Sequence, residues 1–292
     1  MAFTQSPLGL SSALTPVDLI TVDQAVGDRK LVVGVILGGI ALACVFVGRI
    51  SLLLFVGVLA LMSAGELMRL ARTRGARPAA IVGLAAVGAA YIVAYAQDVR
   101  APEIFPALVG AAMILSAATV LVRSNREGAV VAIAFTVFVV VYVGAMGAYI
   151  IAMRGMHDGF RVVLVFGLMV LLNDAGAWAV GSRAGRHAMA RSLSPDKTWE
   201  GWLGGTLVTF AVGIVAGVGL DPPMTVRRGI VLASLVAVAA PLGDLFESML
   251  KRDFGVKDAG ALVPEHGGAL DRLDSLLFTA PLFFYAFRAL TS

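Results

Sequence analysis

The amino-acid sequence predicts an all-α, polytopic integral membrane protein with about nine transmembrane helices. Three observations predict it. Of 292 residues, 59% are apolar and only 14% charged, whereas a soluble domain carries about 25% charged residues. The apolar residues gather in stretches of roughly 15 to 24, about the length that crosses a bilayer core as a helix. The short polar segments between them are dense in arginine, as expected beside membrane spans.

Residues 1–28 contain no lysine or arginine and no long apolar run. They lack the basic start and apolar core of a signal peptide and are expected to form a flexible tail, with an interfacial turn around residues 10–19. Residues 29–292 are expected to form a single transmembrane domain, with its chemical motifs within 173–275. The stretch 31–64 is apolar except for Arg49 and a few small polar residues. As one helix it would run about 51 Å, against a hydrocarbon core of about 30 Å. Two short spans turning near Arg49 fit better. Further spans are expected at 79–96, 104–122, 129–152, 162–181, 202–220, 230–248 and about 271–290.

With nine spans, the N-terminus and alternate loops share one side of the membrane. That side collects sixteen of the 23 lysines and arginines, and the other side seven. The excess marks the first side as cytoplasmic. Segments 183–201 and 249–275, the two that carry chemistry, then face the cytosol. No internal repeat is visible, and no polar stretch is long enough to fold alone. An active site must therefore be built at the membrane surface from loops and helix ends.

Composition also excludes several classes. Cys44 is the only cysteine, which rules out an internal disulfide and any cysteine-based zinc or iron–sulfur centre. His157, His187 and His266 show no HExxH spacing, which leaves little room for a zinc hydrolase. The net charge of +4 does not point to nucleic acid, because the basic residues lie beside spans.

The chemistry concentrates in Gly243–Ser275. Asp244 and Glu247 lie one helical turn apart at the end of a span. Lys251, Arg252, Lys257 and Asp258 follow, then His266-Gly267-Gly268, then Asp271-Arg272-Leu273-Asp274 opening the last span. Asp271 and Asp274, at i and i+3, share a helical face. Hard cations such as Mg²⁺ take carboxylate and phosphate oxygens. Aspartates 244, 271 and 274, from two helix ends with basic residues between them, suit a metal-bound polyphosphate. Gly267-Gly268 would admit a phosphate close to the backbone, next to a helix N-terminus that favours anions. The blander readings are that Asp271 complements a helix dipole, that Lys251-Arg252 anchors a span, and that His266 is an ordinary loop histidine. Asp244 is harder to dismiss, since it follows the apolar run 230–242 and an acid there is costly without a function.

A second segment carries Asn173-Asp174 near the end of one span, then Ser194-Pro195-Asp196-Lys197-Thr198-Trp199-Glu200-Gly201. Ser194 followed by Pro195 reads as an N-cap and first helical residue. Lys197 then falls in a first helical turn, where it opposes the dipole unless an anion binds there. Trp199 and Trp202 fit the interfacial aromatic belt better than base stacking.

Ser248-x-Leu250-Lys251-Arg252, four residues, Lys257-Asp258, then Pro264-x-His266-Gly267-Gly268-x-Leu270-Asp271-Arg272-Leu273-Asp274 resembles the CDP-diglyceride synthetase (phosphatidate cytidylyltransferase) signature. More than a dozen positions match within 27 residues. Val263 and Glu265 depart from it, and Glu265 adds a negative charge beside the glycines. The 173–205 segment resembles the family's other characteristic block. The resemblance covers roughly the last 120 residues and implies a membrane nucleotidyltransferase. Such an enzyme converts CTP and phosphatidate to CDP-diacylglycerol and pyrophosphate for phospholipid biosynthesis in the cell membrane. It implies catalytic roles for Asp244, Asp271, Asp274 and Lys257, with Mg²⁺ on the three aspartates and room for a second cation. Substrate contacts are implied for Ser194, Lys197, Ser248, Lys251, Arg252, Asp258, His266, Gly267, Gly268 and Arg272. It also implies a homodimer with no nucleic-acid partner. Two alternatives stay open: a related CTP-transferase or lipid kinase acting on a polyprenol or ether lipid, and, from another class, a secondary transporter.

Overall fold

In the computed structural model, residues 36–220, 222–256, 260 and 268–291 are described, so the expected tail 1–28 lies outside the described residues. The chain is an all-α membrane protein. Its helices are α1 (Ile36–Val47), α2 (Arg49–Thr73), α3 (Ala80–Gln97), α4 (Ala101–Leu121), α5 (Ala129–Val139), α6 (Met146–Arg154), α7 (Gly159–Ala184), α8 (Trp199–Gly219), α9 (Val226–Asp253) and α10 (Asp274–Thr291). A π-helical turn, Val140–Ala145, joins α5 to α6 without a break. Among the described residues, six helices are long and apolar enough to cross a membrane. One of these, Ala80–Leu121, is 42 residues long. It is interrupted at Asp98, whose φ of 52° lies in the left-handed region, and its halves α3 and α4 pack against each other.

The apolar stretch 31–64 breaks at Gly48, one residue from the expected turn. Its φ of 148° is a conformation that side chains with a Cβ rarely adopt. Arg49 then opens α2 and pairs with Asp98 at the start of the α3–α4 connection.

The centre is packed with apolar side chains from α2 to α10, among them Leu67, Tyr91, Phe166, Met169, Leu232, Phe283 and Phe284. The outside is equally apolar: Ile81, Ile92, Ile114, Leu207, Val215 and Val218 are all exposed. Water would penalise such a surface, but hydrocarbon does not, and each helix satisfies its own backbone. Small residues let helices approach closely where hydrophobic drive is absent. A Cβ on Gly201 would stand 2.8 Å from the Ala177 carbonyl oxygen, and one on Gly205 2.6 Å from that of Asn173, so α8 lies directly on α7.

One expectation is corrected. Ser194 does not cap a helix; Ser194–Thr198 is a short strand (β2) paired antiparallel with Ala188–Ala190 (β1). The cap is Thr198, whose hydroxyl accepts the Gly201 N–H at 3.1 Å. Two capping hydroxyls compete in this sequence, and the one directly before the apolar run wins because the hairpin occupies the backbone of the other. Glu200 fastens the hairpin to α8, accepting backbone N–H groups from Arg186 and His187 and pairing with the His187 ring at 2.6 Å. Lys197 therefore stands in a strand and does not oppose a helix dipole.

Candidate active site

The last turns of α9 carry Asp244, Glu247 and Lys251 at i, i+3 and i+7, so all three share one face. The first turn of α10 brings Asp274 against that face. Carboxylate oxygens of Asp244, Glu247 and Asp274 all lie within 4.8 Å of one another. From α7, the Asp174 carboxylate lies close enough to interact with Asp244 and Asp274. Asn173 beside it is buried and donates to the Thr209 hydroxyl at 2.9 Å, which fixes α7 to α8.

Two lysines stand among these acids. Lys197 reaches from β2 to pair with Asp244. Lys251 lies between Glu247 and Asp271, 2.6 Å from an oxygen of each. The other Asp271 oxygen accepts the Gly268 N–H at 2.6 Å. Burial by itself would push the Asp271 carboxyl up, but Lys251 and the Gly268 N–H outweigh it and hold the group below the usual carboxylate range.

The arrangement redistributes the expected cation set. Asp244 and Asp274 are brought together, and the third carboxylate beside them is Glu247. Asp271 is turned toward Lys251 and the backbone. Glu247 is 1% exposed, and its Oε1 has no hydrogen-bond partner. A buried, unsatisfied carboxylate oxygen beside two further carboxylates is costly. A hard cation with oxygen preference would relieve that cost, so the donor set fits Mg²⁺. The spacing of Glu247 one turn after Asp244 was visible in the sequence; only its burial adds it to the candidate donor set.

The glycine-rich segment also differs from expectation. The Gly268 N–H is taken by Asp271, and the Ala269 and Leu270 N–H groups donate to Glu66 of α2 at 3.0 and 3.1 Å. These donors face protein carboxylates and are not open to a phosphate. Lys257, Asp258, His266 and Gly267 lie outside the described residues. Of the other expected residues, Ser248 is half-buried one turn after Asp244, and Arg252 is exposed and donates to the Leu193 carbonyl at 3.3 Å, holding the hairpin to α9. Ser194 is in that hairpin, and Arg272 adjoins Asp271 in the 3₁₀ turn Leu270–Arg272. Trp202 donates its indole N–H to the Ala237 carbonyl at 2.9 Å, and its ring meets Trp199 edge-on. Trp202 is thus a helix-packing residue.

A carboxylate cluster with interleaved lysines is thus built where the end of α9, the start of α10 and the hairpin meet. Residues 28–290 match the cytidylyltransferase family. The chain belongs to that family. It is 33% identical over 243 residues to the phosphatidate cytidylyltransferase of Staphylococcus haemolyticus, covering 83% of this chain and 92% of the relative. The corresponding protein of Staphylococcus epidermidis is 34% identical over 239 residues, covering 80% and 89%. That of Synechocystis sp. is 42% identical over 127 residues, covering 44% and 43%. This cytidylyltransferase is therefore an enzyme of the membrane.

Proposed function

We propose that this chain transfers the cytidylyl group of CTP to phosphatidate, giving CDP-diacylglycerol and pyrophosphate at the cytoplasmic face of the cell membrane. The observation that carries the reading is the carboxylate group of half-buried Asp244 and Asp274 around buried Glu247, with Lys197 and Lys251 beside it. The names of the relatives supply the lipid.

In this reaction a phosphate oxygen of the lipid forms a bond to the α-phosphorus of CTP. The bond from that phosphorus to the bridging oxygen breaks, and pyrophosphate leaves with the electron pair. The step needs alignment and charge neutralisation more than covalent help from protein. Asp244, Glu247 and Asp274 would hold Mg²⁺. Bound there, the ion would neutralise charge on the phosphates. Lys197 and Lys251 would align the triphosphate and the lipid phosphate, joined by Arg252 and Lys257 from the signature. Asp271 would keep Lys251 aimed. The family resemblance supports assembly as a homodimer.

The nine helical segments, counting α5 and α6 as one, are taken as nine crossings. That count puts the sixteen basic residues on the cytoplasmic side with the hairpin and the α9–α10 connection. In a Cys44→Ala background, Asp196→Cys should react only with thiol reagents that enter the cell. Labelling of intact cells by an impermeant reagent would reverse the orientation.

The activity test is pyrophosphate release from CTP by purified protein with Mg²⁺, with and without phosphatidate. Release should require phosphatidate. Equal release with a polyprenol phosphate, or with no lipid, would remove the assignment.

A further inference from the structure

The connection from α9 to α10 carries most of the signature, and both of its described ends meet one helix from the half of the chain that carries no motif. That helix is α2. Glu66 lies on its buried face, 2% exposed. Its two oxygens accept the Ala269 and Leu270 N–H groups, at 3.0 and 3.1 Å. These donors open a helical turn, where intrahelical acceptors are lacking and a carboxylate suits the local dipole. One residue past the end of α2, Arg74 donates to the Asp253 carbonyl at 2.7 Å and to the Phe254 carbonyl at 3.3 Å. Those are acceptors that α9 leaves open at its own terminus.

The fit around Glu66 is steric as well as polar. A Cβ on Gly268 would stand 2.6 Å from its Oε2, and a Cβ on Gly260 would collide with its Oε1. Two glycines of the connection are thus shaped to one carboxylate. A spanning helix gains nothing by burying an acid, so Glu66 has to be explained by what it holds. What it holds leads directly to the site: Gly268 to Asp271, Asp271 to Lys251, and Lys251 to Glu247.

We propose that Glu66 and Arg74 are positioning residues, and that α2 braces the catalytic connection at both ends, fixing Asp271 against Lys251. The effect on rate rests on the cytidylyl-transfer reading; the brace itself does not.

The test uses the full-length protein in detergent, as wild type, Glu66→Gln, Gly268→Ala and the double variant Glu66→Asp/Gly268→Ala. Amide hydrogen exchange is followed in a peptide containing residues 268–276, beside initial rates against CTP and Mg²⁺ and thermal unfolding. Glu66→Gln should raise exchange at Ala269 and Leu270 by about ten-fold or more, because an amide NH₂ cannot accept from an N–H. It should lower kcat by about ten-fold with KM for CTP within about two-fold, since misplacement of aligned groups costs rate more than binding. Gly268→Ala should be impaired, and shortening the acid in Glu66→Asp/Gly268→Ala should restore part of the rate. Unchanged exchange in Glu66→Gln, or no recovery in the double variant, refutes the brace. Raised exchange with wild-type kcat refutes the positioning role. A wild-type protein inert toward phosphatidate sinks the reaction assignment, and the exchange data then judge the brace alone.

Discussion

Both ends of the helix bundle carry charged side chains, but they handle them differently. At the end where α2 starts and α10 finishes, Arg49 pairs with Asp98, Asp158 lies between His157 and Arg161, and Arg228 and Arg288 donate to the carbonyls of Leu290 and Val99. Each of these groups meets a partner of opposite charge or a helix-end acceptor, and the only buried atoms left over are nitrogens, Nε of Arg49 and of Arg154, so no carboxylate among the described residues is stranded there. At the other end, among the described residues, Lys197 pairs with Asp244 and Lys251 with Glu247 and Asp271, Asp174 and Asp274 stand beside them, and the buried Glu247 Oε1 is left unpartnered. Matched charge is what a stable fold needs. Unmatched negative charge in a low-dielectric corner is tolerable only if something positive arrives there. The imbalance is what marks this end as the candidate site for a cation and its phosphates.

The sharpest way to break this comparison is to remove one carboxylate from the excess. Asp274→Asn and Glu247→Gln should each lower turnover by about a thousand-fold or more, with a raised Mg²⁺ requirement. Either change should also abolish Mg²⁺-induced stabilisation, which for the wild type is about 2.7 kcal/mol at a hundred times the Kd. Without Mg²⁺, the same variants should be no less stable than wild type, because a self-repelling charge is gone. Thermal unfolding with and without Mg²⁺, beside initial rates, reads both effects; wild-type Mg²⁺ stabilisation in Asp274→Asn would end the cation assignment.

Removing a cation should do the opposite. Lys251 is 15% exposed and touches two carboxylates, so Lys251→Met should cost about 3 kcal/mol, the scale of a broken buried pair. Denaturant unfolding in detergent measures it, and a variant as stable as wild type would show the pairs to be worth nothing.

A smaller effect is expected at Asp271. Asn there still accepts the Gly268 N–H, and Lys251 keeps Glu247. Asp271→Asn should therefore slow turnover by only about ten-fold and leave the Mg²⁺ requirement near wild type, in line with loss of a supporting contact. A rate loss and metal shift equal to those of Asp274→Asn would return Asp271 to the cation set.

The smallest effect belongs to the matched end. Arg49 and Asp98 are each about one third exposed, 31% and 36%. Asp98→Asn should cost at most about 1 kcal/mol and leave turnover unchanged. A large loss of activity there would mean that the two ends are coupled.

Much of this was legible beforehand, because the signals are local. Apolar runs of bilayer length and the arginines between them place the helices. Gly48 was nearly anticipated, since a 34-residue run cannot cross the membrane straight. Asp244, Asp274, Lys197 and Lys251 were identified from spacing and signature, and the structure brings them together. The hairpin was misjudged because Ser194 and Thr198 both carry a capping hydroxyl and composition does not choose between them.

What the sequence determined by itself is therefore the all-α membrane character, the family, and the short list of charged residues that are candidates for the site. Each follows from one-dimensional patterns: hydropathy, charge asymmetry, and fixed spacing within 27 residues. The tertiary structure alone decided how those charges are shared. Glu247 joins Asp244 and Asp274 because the start of α10 lands on that face of α9. Asp271 faces Lys251 because the 3₁₀ turn Leu270–Arg272 precedes α10. Glu66 enters from a helix without any motif, about two hundred residues away in the chain. Electrostatic partnership depends on distance in space and on burial, and neither is a property of sequence separation.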